Sequence, residues 1–583
     1  MAAQPARAAW GALPWGTLPT RFTSFVRDLP ILAAILGLFY GLLSLAHYWS
    51  GPVGTHADIQ LDPAVLPKYA LFSVARIAIA YCFSLAFTLV YASIAAHNAK
   101  AERVLIPLLD ILQSIPVLSF LPPVMMAMVA LFPTKQLGIE LGSILLILTG
   151  QVWNMTFSVY SSLKSIPREM LEAARIYRLS WWQRFIQLEL PYSAIGLVWN
   201  SMMSVAGAWY FLTACEMFVL GKRDLRLPGL GSYLQAASDS DDKRATLCGL
   251  AVMITVIVLI DQLVWRPVIA WSEKFKFEQV EAAQTPRSPI LDLLRRSQVV
   301  SHVTRATWMP VREALTLHFA RARASGRHTS QTSELRRGLA FAASAAALLG
   351  ILFAVTRMIV TLVALSHQEI RNILWGTGAT FLRVEFTLLV AGLWTVPAGV
   401  FIGLRPRLAA FVQPVAQIAA SVPAIALFPI LVLVLIRAGG GLGVASILLL
   451  LLGTQWYILF NVIAGASAIP TDLKEVCDIY HLGLVERWRR LILPGIFPYL
   501  ITGFVTASGG AWNASVVAEY VHFKNQTLST TGLGALISQA TDSGNMGLLL
   551  GATVVMSFVV VTVNRLLWRP LYGLASTKYK LES

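Results

Sequence analysis

Long apolar runs alternate with short polar stretches along almost the whole chain of 583 residues. A helix needs roughly 20 apolar residues to cross a hydrocarbon core of about 30 Å. Runs of that length occur near 30–48, 70–95, 105–131, 138–162, 192–218, 245–270, 338–365, 376–404, 409–436, 441–464, 495–520 and 546–570. The pattern predicts an all-α polytopic membrane protein with about twelve transmembrane helices.

The second half of the chain repeats the first. Pairs separated by 303 residues are Trp153 and Trp456, Ile166 and Ile469, Tyr177 and Tyr480, Trp209 and Trp512, Glu216 and Glu519, Gly229-Leu230-Gly231 and Gly532-Leu533-Gly534, and Asp239 and Asp542. Ser114-Ile115-Pro116 and Ser421-Val422-Pro423 lie 307 apart, so only the segment between the third and fourth runs changes length. Two tandem six-helix halves are predicted. Because six is even, they share one orientation, with a pseudo-twofold axis along the membrane normal.

This repeat divides the chain into five segments: an N-terminal cytoplasmic segment at 1–28, a first unit at 29–271, a basic cytoplasmic linker at 272–337, a second unit at 338–573 and a cytoplasmic tail at 574–583. The run at 30–48 lacks a convincing small-residue cleavage site, so it is predicted to be a retained span. Within the linker, an interfacial amphipathic helix and a partly ordered tether both remain open.

The net charge of +16 follows the membrane topology. Arginines and lysines concentrate in every second connection, as at Arg103, Arg184, Arg405 and Arg489. The positive-inside rule therefore places these connections and both termini in the cytoplasm, and it favours the lipid bilayer over nucleic acid as the partner of this charge. The four cysteines are widely scattered and form no Cys-x-x-Cys pair, so no metal site is predicted.

One pattern of 20 residues occurs in both halves, between the fourth and fifth runs. It extends from Glu172-Ala173-Ala174 to Leu190-Pro191 and from Glu475-Val476-Cys477 to Leu493-Pro494. Pro167 and Pro470 suit a first helical turn, and the acidic residues after them are favoured near a helix N-terminus. Short surface helices near 166–180 and 469–483 are predicted, and they would form a duplicated docking surface for a soluble partner.

This pattern resembles the cytoplasmic signature of the membrane subunit of bacterial ATP-binding-cassette importers, which is Glu-Ala-Ala, three residues, Gly, nine residues, Ile, any residue and Leu-Pro. In that family the signature forms a coupling helix that docks in a cleft of the ATPase subunit. The resemblance implies ATPase-coupling roles for Glu172, Ala173, Ala174, Arg178, Leu190, Pro191, Glu475, Val476, Cys477, His481, Leu493 and Pro494. Arg178 and His481 replace the usual Gly, and Gly483 is a candidate to take over that turn in the second copy.

The resemblance extends to the subgroup that imports nitrate, taurine, alkanesulfonates and bicarbonate, through Trp182-Gln183-Arg184-Phe185, Trp209, Glu216 and Gly229-Leu230-Gly231. It implies an importer permease in a bacterial inner membrane for a small, anionic solute, which a periplasmic binding protein delivers. The sequence contains no Gly-x-x-x-x-Gly-Lys-Ser/Thr. The chain is therefore expected to hold no cofactor and to be no enzyme, with ATP and Mg bound by two separate ATPase subunits.

Residues proposed for the translocation pathway are Ser114, Pro116, Ser421, Pro423, Trp209, Trp512, Glu216 and Glu519. The prolines either free backbone groups toward a water-lined cavity or only kink packed helices. The tryptophans are gate residues or packing residues. Ionisable groups at membrane depth are often functional, yet a carboxylate would repel an anion. We therefore favour a structural role for each glutamate, or pairing with a Lys or Arg near the outer surface.

A secondary transporter of the major-facilitator type is the main alternative, because twelve spans with a basic central loop also fit that class. Such carriers usually have Gly-x-x-x-Asp-Arg after the second span. The loop here is His97-Asn98-Ala99-Lys100-Ala101-Glu102-Arg103.

Overall fold

A computed structural model describes residues 48–49, 59–133, 136–220, 223–275, 288–297, 355–427, 431, 441–523 and 526–578, with short stretches inside 301–317 and 349–353. Nearly all of these residues are helical. The only described strands form two short antiparallel hairpins, β1 (Val219–Leu220) with β2 (Arg223–Asp224) and β3 (Tyr520–Phe523) with β4 (Gln526–Ser529). The all-α class predicted from the apolar runs is confirmed.

The first half contains α1 (Leu66–His97), α2 (Ala99–Ser114), α3 (Leu121–Leu131), α4 (Leu137–Lys164), α5 (Arg168–Ile176), α6 (Trp181–Glu216), α7 (Leu230–Asp239) and α8 (Lys243–Ser272). A short helix, α9 (Pro289–Arg296), follows in the predicted linker. The second half contains α10 (His367–Gly403), α11 (Pro406–Ser421), α12 (Leu442–Ser467), α13 (Thr471–Ile479), α14 (Leu484–Ala518), α15 (Leu533–Ser543) and α16 (Met546–Ala575). The two series have the same order.

Eight of the described helices are long and apolar enough to span a membrane: α1, α4, α6, α8, α10, α12, α14 and α16. The run at 105–131, predicted as one span, instead divides into two helices, Ala99–Gln113 and Val117–Leu131, which are bent by 86°. Counting that pair as one span gives nine. The predicted span at 30–48 lies almost wholly outside the described residues, as do 338–348 and most of 428–440, so the number twelve remains a prediction.

The same three-helix packing forms the centre of each half. Helix α4 packs between α1 and α6, and α12 packs between α10 and α14. Small residues permit this close contact: a Cβ atom at Gly399 of α10 would lie 2.8 Å from Val462 of α12. Without water to drive association, such close van der Waals packing is what holds helices together in lipid.

The Pro-containing segments connect the two halves. The 3₁₀ turn Val117–Phe120 packs against α14, and α2 contacts α16. In return, α11 packs against α6 and α8 of the first half. The Thr553 hydroxyl of α16 also donates a hydrogen bond to the Ser119 carbonyl, at 3.3 Å. Each Pro-containing segment therefore contacts the opposite half, so the described backbone irregularities are packed against protein.

Candidate functional site

The two short helices, α5 and α13, occupy equivalent surface positions. Each begins directly after its proline, Pro167 or Pro470, which forms the N-cap. Ala174 and Cys477 are buried against the bundle, whereas Glu172 and Glu475 are exposed. Ala173 is half-buried, and its counterpart Val476 is exposed. One face of each helix is therefore anchored, and the opposite face is open to a partner.

Both short helices end in a left-handed turn. Arg178 and His481 each have φ of 50°, and the amide of the next residue bonds back to the helix, from Leu179 to the Ala174 carbonyl and from Leu482 to the Cys477 carbonyl, both at 3.0 Å. This is the Schellman arrangement, which usually places Gly at the left-handed position. Gly483 has φ of −62°, so the expectation that it takes over this turn is wrong. The family's turn is kept without its glycine.

An exposed apolar pair precedes each turn. Ile176 and Tyr177 are both 78% exposed, and Ile479 and Tyr480 are 71% and 74% exposed. Tyr177 and Tyr480 correspond in the sequence repeat, which by itself assigns them no role. Their repetition at the same offset as Glu172 and Glu475 was the signal that could have identified them. Exposed aromatic residues on a surface of this kind are typical anchors of protein interfaces.

The surroundings of the two pairs differ in charge. On α5 and its turn, Arg168, Arg175 and Arg178 accompany Glu169 and Glu172. On α13, Asp472, Glu475 and Asp478 accompany one lysine, Lys474. The first surface therefore carries an excess of positive charge and the second an excess of negative charge.

The Leu-Pro end of the pattern lies at the entry to the fifth span of each half. Pro191 and Pro494 have no N–H to donate, and immediately before Leu190 and Leu493 the helices widen into five-residue π turns, Phe185–Glu189 and Trp488–Ile492. A π turn is a common way to accommodate an interruption in a helix. Both spans remain continuous through this point.

Glu216, at the far end of α6, lies in a fully buried ionic network. Its Oε1 accepts hydrogen bonds from Ser73 Oγ at 2.6 Å and from Arg76 Nη1 at 2.7 Å. Its Oε2 accepts from the Gly231 amide at 2.7 Å. Arg76 also binds Glu140 of α4 through two bonds of 2.7 Å, from Nε and Nη2. The network thereby connects α1, α4, α6 and α7.

Glu519 has the corresponding place in the second half, with one difference. It accepts hydrogen bonds from Arg383 Nη1, from Thr380 Oγ1 at 2.7 Å and from the Gly534 amide at 2.8 Å. Gly443 stands where Glu140 does in the first half, so Arg383 has no second carboxylate from α12. Both glutamates are therefore paired with an arginine of the same half, Arg76 of α1 or Arg383 of α10. The structural role favoured for them stays a prediction.

The Gly-Leu-Gly repeat fits around these carboxylates. A Cβ atom at Gly229 would lie 2.2 Å from Glu216 Oε1, and one at Gly532 would lie 2.0 Å from Glu519 Oε2. Any larger residue would push the start of α7 or α15 off its carboxylate. The amides at these helix starts then donate to the buried charge, as the positive end of a helix dipole favours.

Between the halves is a cavity of about 650 Å³. Apolar residues from both broken helices line it, including Leu118, Pro122 and Ile425, together with the ends of α6 and α14. Polar side chains line the rest: Arg226, Gln235, Asp239, Tyr520, Ser538, Thr541 and Asp542. The Tyr520 hydroxyl donates to Asp542 at 2.6 Å, and burial together with this carboxylate raises the pKa of Tyr520.

Of the other residues predicted for the pathway, two prolines lie at the helix breaks and two tryptophans lie in hydrophobic clusters. Pro116 and Pro423 are buried at the two helix breaks. The Ser421 hydroxyl donates a hydrogen bond to the Gln417 carbonyl, at 2.8 Å. The side chain of Ser114 is outside the described part of the chain. Trp209 and Trp512 are fully buried in hydrophobic clusters and are not among the described lining residues.

Comparison with known proteins identifies one family. Residues 88–264 and 395–567, together more than half of the chain, each match the model of the binding-protein-dependent transport system inner membrane component. The chain is 26% identical over 208 residues to the nitrate import permease protein NrtB of Leptolyngbya laminosa, covering 36% of this chain and 69% of that protein. It is 28% identical over 151 residues to the bicarbonate transport system permease protein CmpB of Synechococcus elongatus, covering 26% and 53%.

The taurine transport system permease protein TauC of Escherichia coli is 26% identical over 184 residues, covering 31% of this chain and 65% of TauC. The chain thus spans between about half and two thirds of the length of these relatives. Two matches to one family model confirm the tandem repeat predicted from the sequence.

Replacing His481 by Gly should stabilise the second turn. A non-glycine residue in the left-handed region costs about 1–2 kcal/mol, which Gly avoids. We expect a higher apparent melting temperature of the purified protein in detergent. Gly483→Ala is the matched control, since a Cβ atom there meets nothing within 4 Å and φ is ordinary. An unchanged or lower melting temperature for His481→Gly would contradict the strained turn.

Arg76→Met should strongly destabilise the protein, because it leaves Glu140 and Glu216 buried without their cation. Breaking a buried pair in this way costs about 3–5 kcal/mol. Arg383→Met leaves only one carboxylate, Glu519, without its cation. It should therefore lower the melting temperature less than Arg76→Met does. Lys164→Met is the control, since its ion pair with Glu102 is largely exposed and should matter little. Equal effects of Arg76→Met and Lys164→Met would refute the assigned network.

Proposed function

The chain belongs to the family of binding-protein-dependent transport system inner membrane components, and on that premise we propose that its two units together form the translocation pathway of an ATP-binding-cassette importer. The observation that carries the proposal is the duplicated surface of α5 and α13. Each presents an exposed Glu, an exposed Ile-Tyr pair and a left-handed turn in the same order. Two equivalent surfaces on one chain fit two ATPase subunits.

In this proposal α5 and α13 are the coupling helices, and each occupies a cleft of one ATPase. ATP and Mg are bound by the ATPases, and the chain itself performs no covalent chemistry. ATP binding closes the two ATPases and moves both coupling helices inward. Each helix is followed closely by the fifth span of its half, α6 or α14, whose far end lines the central cavity. Closure on one side of the membrane is thereby transmitted to the pathway.

The pathway is proposed to pass through the cavity between the halves. Both broken helices reach it, and their free backbone groups suit a water-filled space. In this proposal, the helix breaks contribute to the pathway through Pro116 and Pro423, together with Ser421. Glu216 and Glu519 stabilise the helices that form the pathway walls and do not contact the solute. Trp209 and Trp512 pack the helices that form those walls.

The remaining components follow from the same family. A periplasmic binding protein delivers the solute, and the chain lies in a bacterial inner membrane with α5, α13, the linker 272–337 and both termini in the cytoplasm. Because the relatives carry the names of nitrate and bicarbonate transporters, the solute is proposed to be a small anion, with Arg226 as the guanidinium that lines the cavity. Family membership decides against a major-facilitator carrier.

Removing the aromatic anchors should uncouple the importer. Tyr177→Ala and Tyr480→Ala should each weaken co-purification with the partner ATPase and lower ATP-driven uptake. Truncating an interface anchor typically costs about 2 kcal/mol, roughly a 30-fold loss of affinity. Tyr572→Ala is the control, because Tyr572 is exposed but lies on neither short helix. Glu172→Lys and Glu475→Lys test the same surface by charge. If all four variants keep the ATPase and full uptake, the coupling assignment is wrong.

Filling the cavity should stop transport without releasing the ATPases. Val517 lines the cavity and is half-buried, so Val517→Trp would place an indole in the proposed pathway. We expect loss of uptake in proteoliposomes while ATPase co-purification persists. Leu247→Trp places the same side chain at an exposed position of α8 and should transport normally. Undiminished uptake by Val517→Trp would place the pathway elsewhere.

A further inference from the structure

A second cavity lies on the side of the second half. It has a volume of about 600 Å³ and is formed by α10, α14 and α16. Its walls are apolar, with Leu388, Gly392 and Pro397 on α10, Phe504 on α14 and Trp568 on α16. Leu389 and Leu393, at its edge, are 58% and 69% exposed. We call this the lateral groove. It opens where a membrane-spanning helix faces lipid.

Two polar atoms in the lateral groove have no hydrogen-bond partner. Glu385 Oε1 and Trp568 Nε1 are both buried and unpaired within the described structure, and both residues line the groove. The carboxylate oxygen lacks a donor, and the indole N–H lacks an acceptor. An unsatisfied buried group costs about 1–3 kcal/mol, more when charged, and the hydrocarbon region offers no water to compensate. Carboxylates within membrane helices are rare and mark functional sites.

The corresponding positions of the first half hold other residues. Arg76 and Arg383 fix the alignment of α1 with α10 at an offset of 307, which pairs Ala78 with Glu385, Tyr81 with Leu388 and Leu85 with Gly392. In the first half, Tyr81 packs edge-to-face on Trp265, with ring centroids 6.0 Å apart. In the second half, Leu388 replaces that tyrosine, and Phe504, at the position of Ser201, stacks on Trp568 and lies against Gly392. The second half therefore exchanges the aromatic contact and adds a carboxylate at the same place.

We propose that the lateral groove binds a phospholipid with a primary ammonium headgroup. The ammonium donates to Glu385 and neutralises its charge, an oxygen of the lipid accepts from Trp568 Nε1, and an acyl chain covers the apolar wall. An anionic lipid without an amine, such as phosphatidylglycerol, lacks the cation, and a quaternary ammonium lacks the N–H, so neither satisfies Glu385. This site is separate from the central cavity and does not depend on the transported solute.

The test is lipid retention by the full-length protein. The protein is equilibrated in mixed micelles with equal amounts of phosphatidylethanolamine and phosphatidylcholine, and the retained lipids are counted by native mass spectrometry. Wild type should retain at least about ten times more phosphatidylethanolamine than phosphatidylcholine, because one charge-assisted hydrogen bond changes the affinity by about this factor. Glu385→Gln should abolish the preference. Gly392→Leu, which introduces the residue found in the first half, should displace the Phe504 ring into the groove, because a Cβ atom there would lie 2.7 Å from that ring, and should abolish retention.

Gly378→Leu is the matched control, because Gly378 lies on the same helix and a Cβ atom there meets nothing within 4 Å. It should retain the wild-type preference. Equal retention of both lipids by wild type, or an unchanged preference in Glu385→Gln, would overturn the proposal. Retention of neither lipid would also overturn it.

Discussion

A carboxylate buried at the end of each fifth span is the constraint on which the rest of the fold depends. Glu216 and Glu519 cannot be left unsatisfied at membrane depth, so each must gather donors from neighbouring elements. Glu216 obtains them from α1 and from the start of α7, and Arg76 extends the network to α4 through Glu140. This requirement explains the glycines of the Gly-Leu-Gly repeat, because only a residue without a Cβ atom lets the helix start reach the carboxylate.

The two halves share this constraint but meet it differently. In the first half one guanidinium serves two carboxylates, and all three groups are fully buried. In the second half Arg383 serves one, is partly exposed, and also donates to Thr530 and Thr531. The short helices differ as well. Both carry the same exposed Ile-Tyr pair, but the charged residues around it are mainly positive on α5 and mainly negative on α13. A fused chain permits this, because the two copies are separate segments of one polypeptide and need not remain identical to each other.

Much of this organisation could be predicted from the sequence, for specific physical reasons. Long apolar runs predicted the helices because lipid requires them, and the 303-residue offset predicted the repeat. Three features were not accessible. The left-handed turns at Arg178 and His481 contradict local preference and are held by hydrogen bonds back into the short helices. Pro116 predicted an irregularity in the third run, but not the 86° angle between its two helices. The side-chain partners of Glu216 are Ser73 and Arg76, which lie 143 and 140 residues away, and they appear only when α1 is brought against α6.

The placement of the buried carboxylates also bears on how motion crosses the membrane. Helix α6 is continuous from Trp181, five residues after α5, to Glu216, whose neighbours Ala214 and Met217 line the central cavity. Beyond its first turns, this helix has no described break at which a displacement would be absorbed by bending. The π turn at Phe185–Glu189 is the one irregularity along it, and it lies next to α5. A shift of the short helix would therefore reach the cavity wall together with α1, α4 and α7, because the Glu216 network connects them.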